Sequence, residues 1–373
     1  LFLGIDPTEL GQAPFALAAS GALHYWAHEI GIEVSRGGRL YTLPCIAGHV
    51  GADAAGATLS EGPYRQDRMM LLVDVGTNAE IVLGNSSHVV AASSPTGPAF
   101  EGAEISSGQR AAPGAIERVR IDPATFEPKY RVIGVDKWSD EEGFEDAARA
   151  TGVTGICGSA IIEVVAEMYL AGIISEDGVI DGSLAARTPR IVENGRTFSY
   201  LLRDGQPRIT VTQNDIRAIQ LAKAALYAGT KLLMDKQGVD HVDTIRFAGA
   251  FGSFIDPKYA MVLGLIPDCD LAEVKAVGNA AGTGALMALL NRDHRREIER
   301  EVARIEKIET ALEPDFQRLF INAMALPNKV DAFPKLSEQV TLPVRSLESA
   351  PADGSEGPRR RSRAERDARR NRG

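Results

Sequence analysis

Met69-Met70-Leu71-Leu72-Val73-Asp74-Val75-Gly76-Thr77-Asn78-Ala79-Glu80-Ile81-Val82-Leu83 is an apolar run, a cluster of turn residues and a second apolar run. The first run has no polar alternation, which predicts a strand covered on both faces. Gly76-Thr77-Asn78 supplies the turn, and Glu80 to Leu83 returns as a second strand. His88 to Ala92 reads as a third, so the prediction is an antiparallel meander. A carboxylate at a strand end, followed by a glycine and a hydroxyl residue, suits phosphate chemistry. Backbone N–H groups of Gly76 and Asn78 and the hydroxyl of Thr77 would face a phosphate, while Asp74 would hold a Mg²⁺ through water. An ordinary hairpin closed by an Asn turn uses the same residue types, so the motif alone leaves both readings open.

Before this core, residues 1–68 predict an apolar helix around Pro14 to Ile30, short strands near Ile32 to Val34 and Leu40 to Leu43, and a small-residue helix from Gly51 to Leu59. After it, Arg131 to Val135 and Thr244 to Phe247 read as strands. Ser159 to Leu170, Asn214 to Met234 and Ala280 to Leu290 carry helical periodicity. Ile298, Val302, Ile305, Ile308 and Leu312 recur at three- and four-residue steps, predicting a half-wet helix stopped by Pro314. Apolar density falls after Pro327. The expected division is a lobe remnant over 1–68, a second lobe over 69–330, a linker over 331–357 and a basic disordered tail over 358–373. The whole is of α/β class.

The 373 residues suffice for more than one domain, and no run of about 18 apolar residues is present to cross a bilayer. Residue 1 is Leu within an apolar phrase, so the N-terminus is expected to lie upstream. Three scattered cysteines, Cys45, Cys157 and Cys269, fit neither a disulfide framework nor a local cluster, which places the chain in a reducing cytoplasm. Net charge is −9, although eight arginines crowd Arg359 to Arg372. Without aromatics or an apolar stripe that block reads as a solvated end, so nucleic acid is not the expected partner.

Four further pieces bear on chemistry. Phe247-Ala248-Gly249-Ala250-Phe251-Gly252 follows a strand, and its glycines allow the backbone to approach a flat or charged ligand; a simple turn demands no less. Gly278-Asn279, ahead of a small-residue helix, suits a ligand or, more commonly, close helix packing. Gly155-Ile156-Cys157-Gly158-Ser159 precedes a helix whose free N–H groups would cradle an anion, Cys157 being a small buried residue. Glu101, in Gly97-Pro98-Ala99-Phe100-Glu101-Gly102, sits near the phosphates or in a structural loop.

The order of these pieces resembles the second lobe of the actin-like ATPases, the acetate and sugar kinase, Hsp70 and actin superfamily (ASKHA, ribonuclease H-like). That resemblance implies a mixed sheet flanked by helices, plus part of a first lobe. It makes Asp74 to Asn78 the second phosphate loop and Gly249 to Gly252 the adenosine loop. Within the superfamily, Pro44-Cys45-Ile46-Ala47-Gly48-His49-Val50-Gly51-Ala52-Asp53, Gly97 to Gly102, Gly155 to Ser159 and Gln213 to Ala225 are similar to the reductive activators of corrinoid proteins.

What the resemblance implies is ATP- and Mg²⁺-dependent reduction of cob(II)alamin to cob(I)alamin on a corrinoid-binding methyltransferase. Asp74 and Glu101 would be catalytic. Gly76, Thr77, Asn78, Gly155, Gly158, Ser159, Gly249, Ala250, Phe251, Gly252, Gly278 and Asn279 would hold the nucleotide. Family members carry a [2Fe–2S] ferredoxin domain and the first phosphate loop ahead of this region, so these residues alone are not expected to turn over ATP. A homodimer is left open. The alternatives are a small-molecule kinase of the same superfamily, an activator of radical dehydratases, and a non-enzymatic nucleotide-responsive scaffold.

Overall fold

A computed structural model describes residues 3–11 and 15–343. The basic tail expected over 358–373, and the stretch leading into it, lie outside the described residues.

Strands β1 (Leu23–Trp26) and β2 (Arg39–Thr42) pair antiparallel. Leu23 and Tyr25 are half-buried while His24 and Trp26 are exposed, a period of two. The helix predicted around Pro14 to Ile30 is therefore not formed over its described part. Its apolar residues alternate, and Gly31, at φ 74°, ends a single 3₁₀ turn over Ala27–Ile30. Ile32 to Val34 is likewise no strand but the link into β2. Helix α1 (Ala52–Glu61) follows as predicted.

The meander is formed by β3 (Met70–Val75), β4 (Ala79–Gly84) and β5 (Val89–Ser94). Beyond it, β6 (Ala115–Ile121), β7 (Pro128–Val132) and β8 (Gly155–Ile156) make a three-stranded sheet. The strand predicted at Arg131 to Val135 thus begins and ends three residues earlier. Between β7 and β8 lies the single-turn α2 (Phe144–Ala147), and α3 (Gly158–Leu170) follows β8. A second three-stranded sheet joins β9 (Ile191–Asn194), β10 (Thr197–Arg203) and β11 (Ile209–Thr212). Helix α4 (Gln213–Gln237) opens on a reciprocal cap. Thr212 Oγ1 accepts from Asp215 N at 3.2 Å, and the Asp215 carboxylate accepts from Thr212 N at 2.8 Å.

Strand β12 (Thr244–Ala248) leads through the one-turn α5 (Gly249–Gly252) to α6 (Pro257–Leu263). Then come β13 (Val274–Gly278), α7 (Ala280–Leu290), α8 (Arg292–Val302) and β14 (Glu306–Lys307). These complete a six-stranded mixed sheet in the order β13-β12-β3-β4-β5-β14. One face, with Leu71, Val73 and Ile81, packs under α4; the other, with Leu72 and Val82, packs under α1. Cover on both faces is why β3 carries no polar alternation.

The single late helix predicted through Leu312 is broken at Val302. Ile305 packs with the α1 face of the sheet and Ile308 with the α4 face. Residues three apart share one side of a helix but lie on opposite sides of a strand. Leu312 is exposed. Nor does the packed body end at residue 330. Helices α9 (Phe316–Asn322) and α10 (Pro334–Gln339) belong to it, with Leu336 fully buried and the N–H groups of Lys335 and Leu336 donating to Asp268 at 3.0 Å. The linker expected from residue 331 is packed chain as far as residue 343.

Helices α1 and α7 touch backbone to backbone. A β-carbon on Gly284 would lie 1.9 Å from the Gly56 carbonyl oxygen, and one on Gly56 would lie 2.8 Å from that of Ala281. The small residues ahead of Leu286 thus serve close helix packing. Gly284→Ala is expected to destabilise the fold by about 2–3 kcal/mol, the cost of overpacking a site that cannot yield. Denaturant unfolding of the variant beside wild type measures it.

Candidate functional site

The carboxyl ends of β3, β12 and β13 lie side by side: Ala248 pairs in parallel register with Asp74 on one side and with Gly278 on the other. Ligands of open α/β sheets bind outside such strand ends. Here Asp74, Gly249 and Gly278-Asn279 meet. Gly249 has φ 85°, and a β-carbon on it would lie 2.5 Å from Asp74 Oδ1, so both conformation and space require glycine. Gly278 has φ 65°, with no atom nearer than Ser253 Oγ at 4.0 Å to a β-carbon there, which leaves an open floor. Asn279 caps α7, its Oδ1 accepting from Gly282 N at 2.8 Å.

The turn at Gly76-Thr77-Asn78 is fixed from behind. Thr96 Oγ1 donates to the carbonyls of Gly76 and Thr77 at 2.8 and 3.0 Å, and Gly97 N donates to that of Thr77 at 2.9 Å. With those carbonyls engaged, the exposed Thr77 and Asn78 stand out at the tip. Thr77 Oγ1 donates to Glu101 Oε1 at 2.9 Å, bringing that exposed carboxylate to the loop.

Not all of the expected residues reach this open edge. Gly155, Gly158 and Ser159 are buried. A β-carbon on Gly158 would lie 1.9 Å from the Phe100 carbonyl oxygen and 2.6 Å from the Phe251 ring, and Ser159 Oγ donates to the Glu117 carbonyl at 3.3 Å. The start of α3 is therefore closed over by Phe100 and Phe251, whose rings stack at 6.3 Å. Gly252 is buried too, and a side chain there would press on the Phe247 backbone. These residues seat α5 against α3, while Ala250 is exposed.

Two acidic residues outside the expected set belong to the site. Glu80 is the cross-strand partner of Asp74, and its Oε1 accepts from Ser93 Oγ at 3.3 Å. Asp53, in the first turn of α1, adds its charge. Burial, then Asp53, raises the Asp74 pKa above the ordinary carboxylate value. Burial, then Asp53 and Asp74, pushes Glu80 up to about 7. Glu80 was legible, because a three-residue turn after Val75 sets it opposite Asp74. The approach of Asp53 is tertiary and leaves no local signal. A cavity of about 290 Å³ lined by Asn78, Ser93, Lys307 and Thr310 brings solvent to within one side chain of Glu80.

A mixed sheet of this order, covered by helices on both faces and bearing a carboxylate and a glycine at adjoining strand ends, defines an actin-like α/β lobe of the ASKHA class. Residues 68–337 match the C-terminal, ASKHA domain of RACo, and residues 1–66 match the RACo middle region. The chain belongs to this family.

A corrinoid activation enzyme, RamQ, of Eubacterium limosum is 34% identical over 334 residues, 86% of this chain and 53% of that protein. The [Co(II) methylated amine-specific corrinoid protein] reductase of Methanosarcina barkeri is 31% identical over 228 residues, 60% of this chain and 39% of the reductase. Among solved structures, a reductive activator for corrinoid, iron–sulfur protein superposes with a TM-score of 0.74 at 33% identity, covering 88% of this chain and 50% of its own. The chain thus spans about half the length of the relatives it matches. No helix of the described residues is long and apolar enough to cross a membrane.

Because the folded chain holds the Glu80 proton up to about pH 7, against about 4.3 for a free glutamate, it binds more protons than the unfolded chain between those values. Stability from this group is present at low pH and is lost as pH rises through 7. In Mg²⁺-free buffer, Glu80→Gln is expected to raise stability at pH 8 by roughly 1–2 kcal/mol after allowing for partial solvation. The gain should shrink toward pH 5 when the two proteins are melted in parallel.

Proposed function

We propose that this chain is the nucleotide-binding part of an activator that couples ATP hydrolysis to the one-electron reduction of cob(II)alamin to cob(I)alamin on a corrinoid protein. The observation that carries the reading is the meeting of Asp74, the Gly76-Thr77-Asn78 turn and Gly249 at one strand-end edge, in a family whose named relatives act on corrinoid proteins. A corrinoid-binding methyltransferase is the partner this implies.

The donor chemistry fits Mg²⁺. Asp74 is a carboxylate whose ionisation is opposed by burial and by Asp53, strain that a cation relieves. Among the described residues no three His, Cys, Asp or Glu side chains close on one point. That suits an ion which keeps most of its waters and binds through one carboxylate and the phosphates. When bound, Mg²⁺ neutralises charge on the β- and γ-phosphates. Asp74 would hold one of its waters, and the turn at Gly76, Thr77 and Asn78 would orient the phosphates through the N–H groups of Thr77 and Asn78, since Gly76 N–H donates to the Asn78 carbonyl and Thr77 Oγ1 to Glu101. Glu101, held by Thr77, would take the proton of the attacking water. Gly249 and Ala250 admit the nucleoside over α5.

An iron–sulfur cluster does not fit the described residues. Cys157 and Cys269 are buried, Cys45 is half-buried, and all three are free thiols without further ligands. The low-potential electron donor for cobalt is not carried by them.

In the full-length protein, Asp74→Ala is expected to lower ATP hydrolysis by roughly 100-fold or more, on the scale of removing a preorganised charge-stabilising group. It should also abolish ATP-dependent appearance of cob(I)alamin absorbance in the partner, with the circular dichroism spectrum unchanged. Wild-type turnover in this variant would overturn the phosphate-loop assignment. Phosphorylation of a small molecule without cobalt reduction would favour a kinase.

A further inference from the structure

The cavity of about 290 Å³ beside the Gly76-Thr77-Asn78 turn lies apart from the strand ends of Asp74, Gly249 and Gly278. Its walls come from the end of β5, from β14, from the start of α9 and from the chain ahead of α1. They are mostly apolar, with Phe15 and Phe316 as the two rings. The volume is near the lower end of small-molecule sites, roughly 300–1,000 Å³. Phe15 is held there against its backbone preference. Its φ is 59°, a left-handed conformation that a bulky side chain rarely takes. Its carbonyl oxygen packs on Gly48, where a β-carbon would lie 2.0 Å away, and its ring meets His49 edge to face with centroids 4.3 Å apart. Residues strained in this way gather at sites that bind ligands.

The polar groups on these walls divide into those already engaged and those left over. Ser93 Oγ donates to Glu80 and Thr310 Oγ1 donates to the Ser93 carbonyl. Among the described residues neither the Asn78 amide nor the His49 ring nitrogens have a hydrogen-bond partner. Lys307 is the cation of the cavity, with only 19% of its side chain exposed and Glu309 as its paired carboxylate. An ammonium has three N–H donors, so this pairing leaves donor capacity toward the space. Burial holds the Lys307 pKa below its ordinary value, and a second anion would relieve that burden. Apolar walls with a few convergent donors and a desolvated cation suit a small organic acid. We propose that the cavity binds a small monocarboxylic acid, its apolar body against the Phe15 and Phe316 rings and its carboxylate on Lys307. Such a ligand bridges the segment matching the RACo middle region and the one matching the ASKHA domain. It goes beyond the nucleotide-binding reading and does not need it.

The test uses full-length protein without nucleotide and three probes of one shape, benzoate, benzyl alcohol and benzylamine, titrated by calorimetry. Benzoate is expected to bind saturably and about 10-fold or more tighter than the other two, the scale of one charge-assisted hydrogen bond. Lys307→Met is expected to remove that preference, and Lys307→Arg to retain it. Phe15→Gly suits the left-handed backbone, so it is expected to melt as wild type while weakening benzoate and benzyl alcohol alike. Equal affinity of wild type for benzoate and benzyl alcohol would overturn the proposal. A preference for benzylamine would overturn it as well, by assigning the cavity to Glu309. Binding of none of the three would do the same, as would benzoate affinity untouched by Lys307→Met, which would place the acid elsewhere.

Discussion

A carboxylate oxygen of Asp74 lies 2.5 Å from where residue 249 would carry a β-carbon. This close approach joins the ends of two strands that are distant in sequence and whose register the pairing of Ala248 with Asp74 fixes. It allows only glycine, already bent to a positive φ, at the turn into α5. Only glycine at this turn lets a charged side chain and a bare stretch of backbone share one edge. The parallel register Ala248 to Asp74 and Ala248 to Gly278 then carries the third strand end to the same edge.

The same edge stores electrostatic tension. Asp53, Asp74 and Glu80 come from a helix and two strands, and burial opposes the ionisation of Asp74 and Glu80. The sheet beneath is apolar on both faces, so it cannot relax around the charges. Two carboxyls whose ionisation is opposed are thereby held on an apolar sheet that offers them no counter-charge. Thr77, Thr96 and Glu101 extend this rigidity to the loop tip through hydrogen bonds between 2.8 and 3.0 Å.

How much of this was legible in the sequence followed the range of the forces involved. The meander was readable because the apolar runs, the turn residues and the two-residue period are all local. Helices α3, α4 and α7 showed their period for the same reason. Ile305 and Ile308 misled because a spacing of three fits one helix face as well as two sheet faces, and only the partner strand β5 decides between them. Leu23 to Trp26 misled because a dense apolar stretch hides its alternation until β2 pairs with it. At the site, Asp74 and Gly249 stood out by chemistry and position. Gly158, Ser159 and Phe251 were expected on the open edge but lie beneath it, since a sequence does not say which side of a loop faces water. Asp53 needed the tertiary fold.

The crossing of α1 and α7, glycine on carbonyl, has a mechanical meaning. Helices that interlock through side chains resist sliding, because each ridge must climb out of its groove. Where Gly56 meets Gly284 there is no ridge. The joint is stiff to compression, as the backbones are already in contact, and Ala55, Leu59, Met287 and Ala288 pack around it. It lies between a helix in the segment matching the middle region and one in the segment matching the ASKHA domain. Asp53 rides on the first of these helices and Asn279 caps the second, so the thickness of two bare backbones sets how far that negative charge stands from the start of α7.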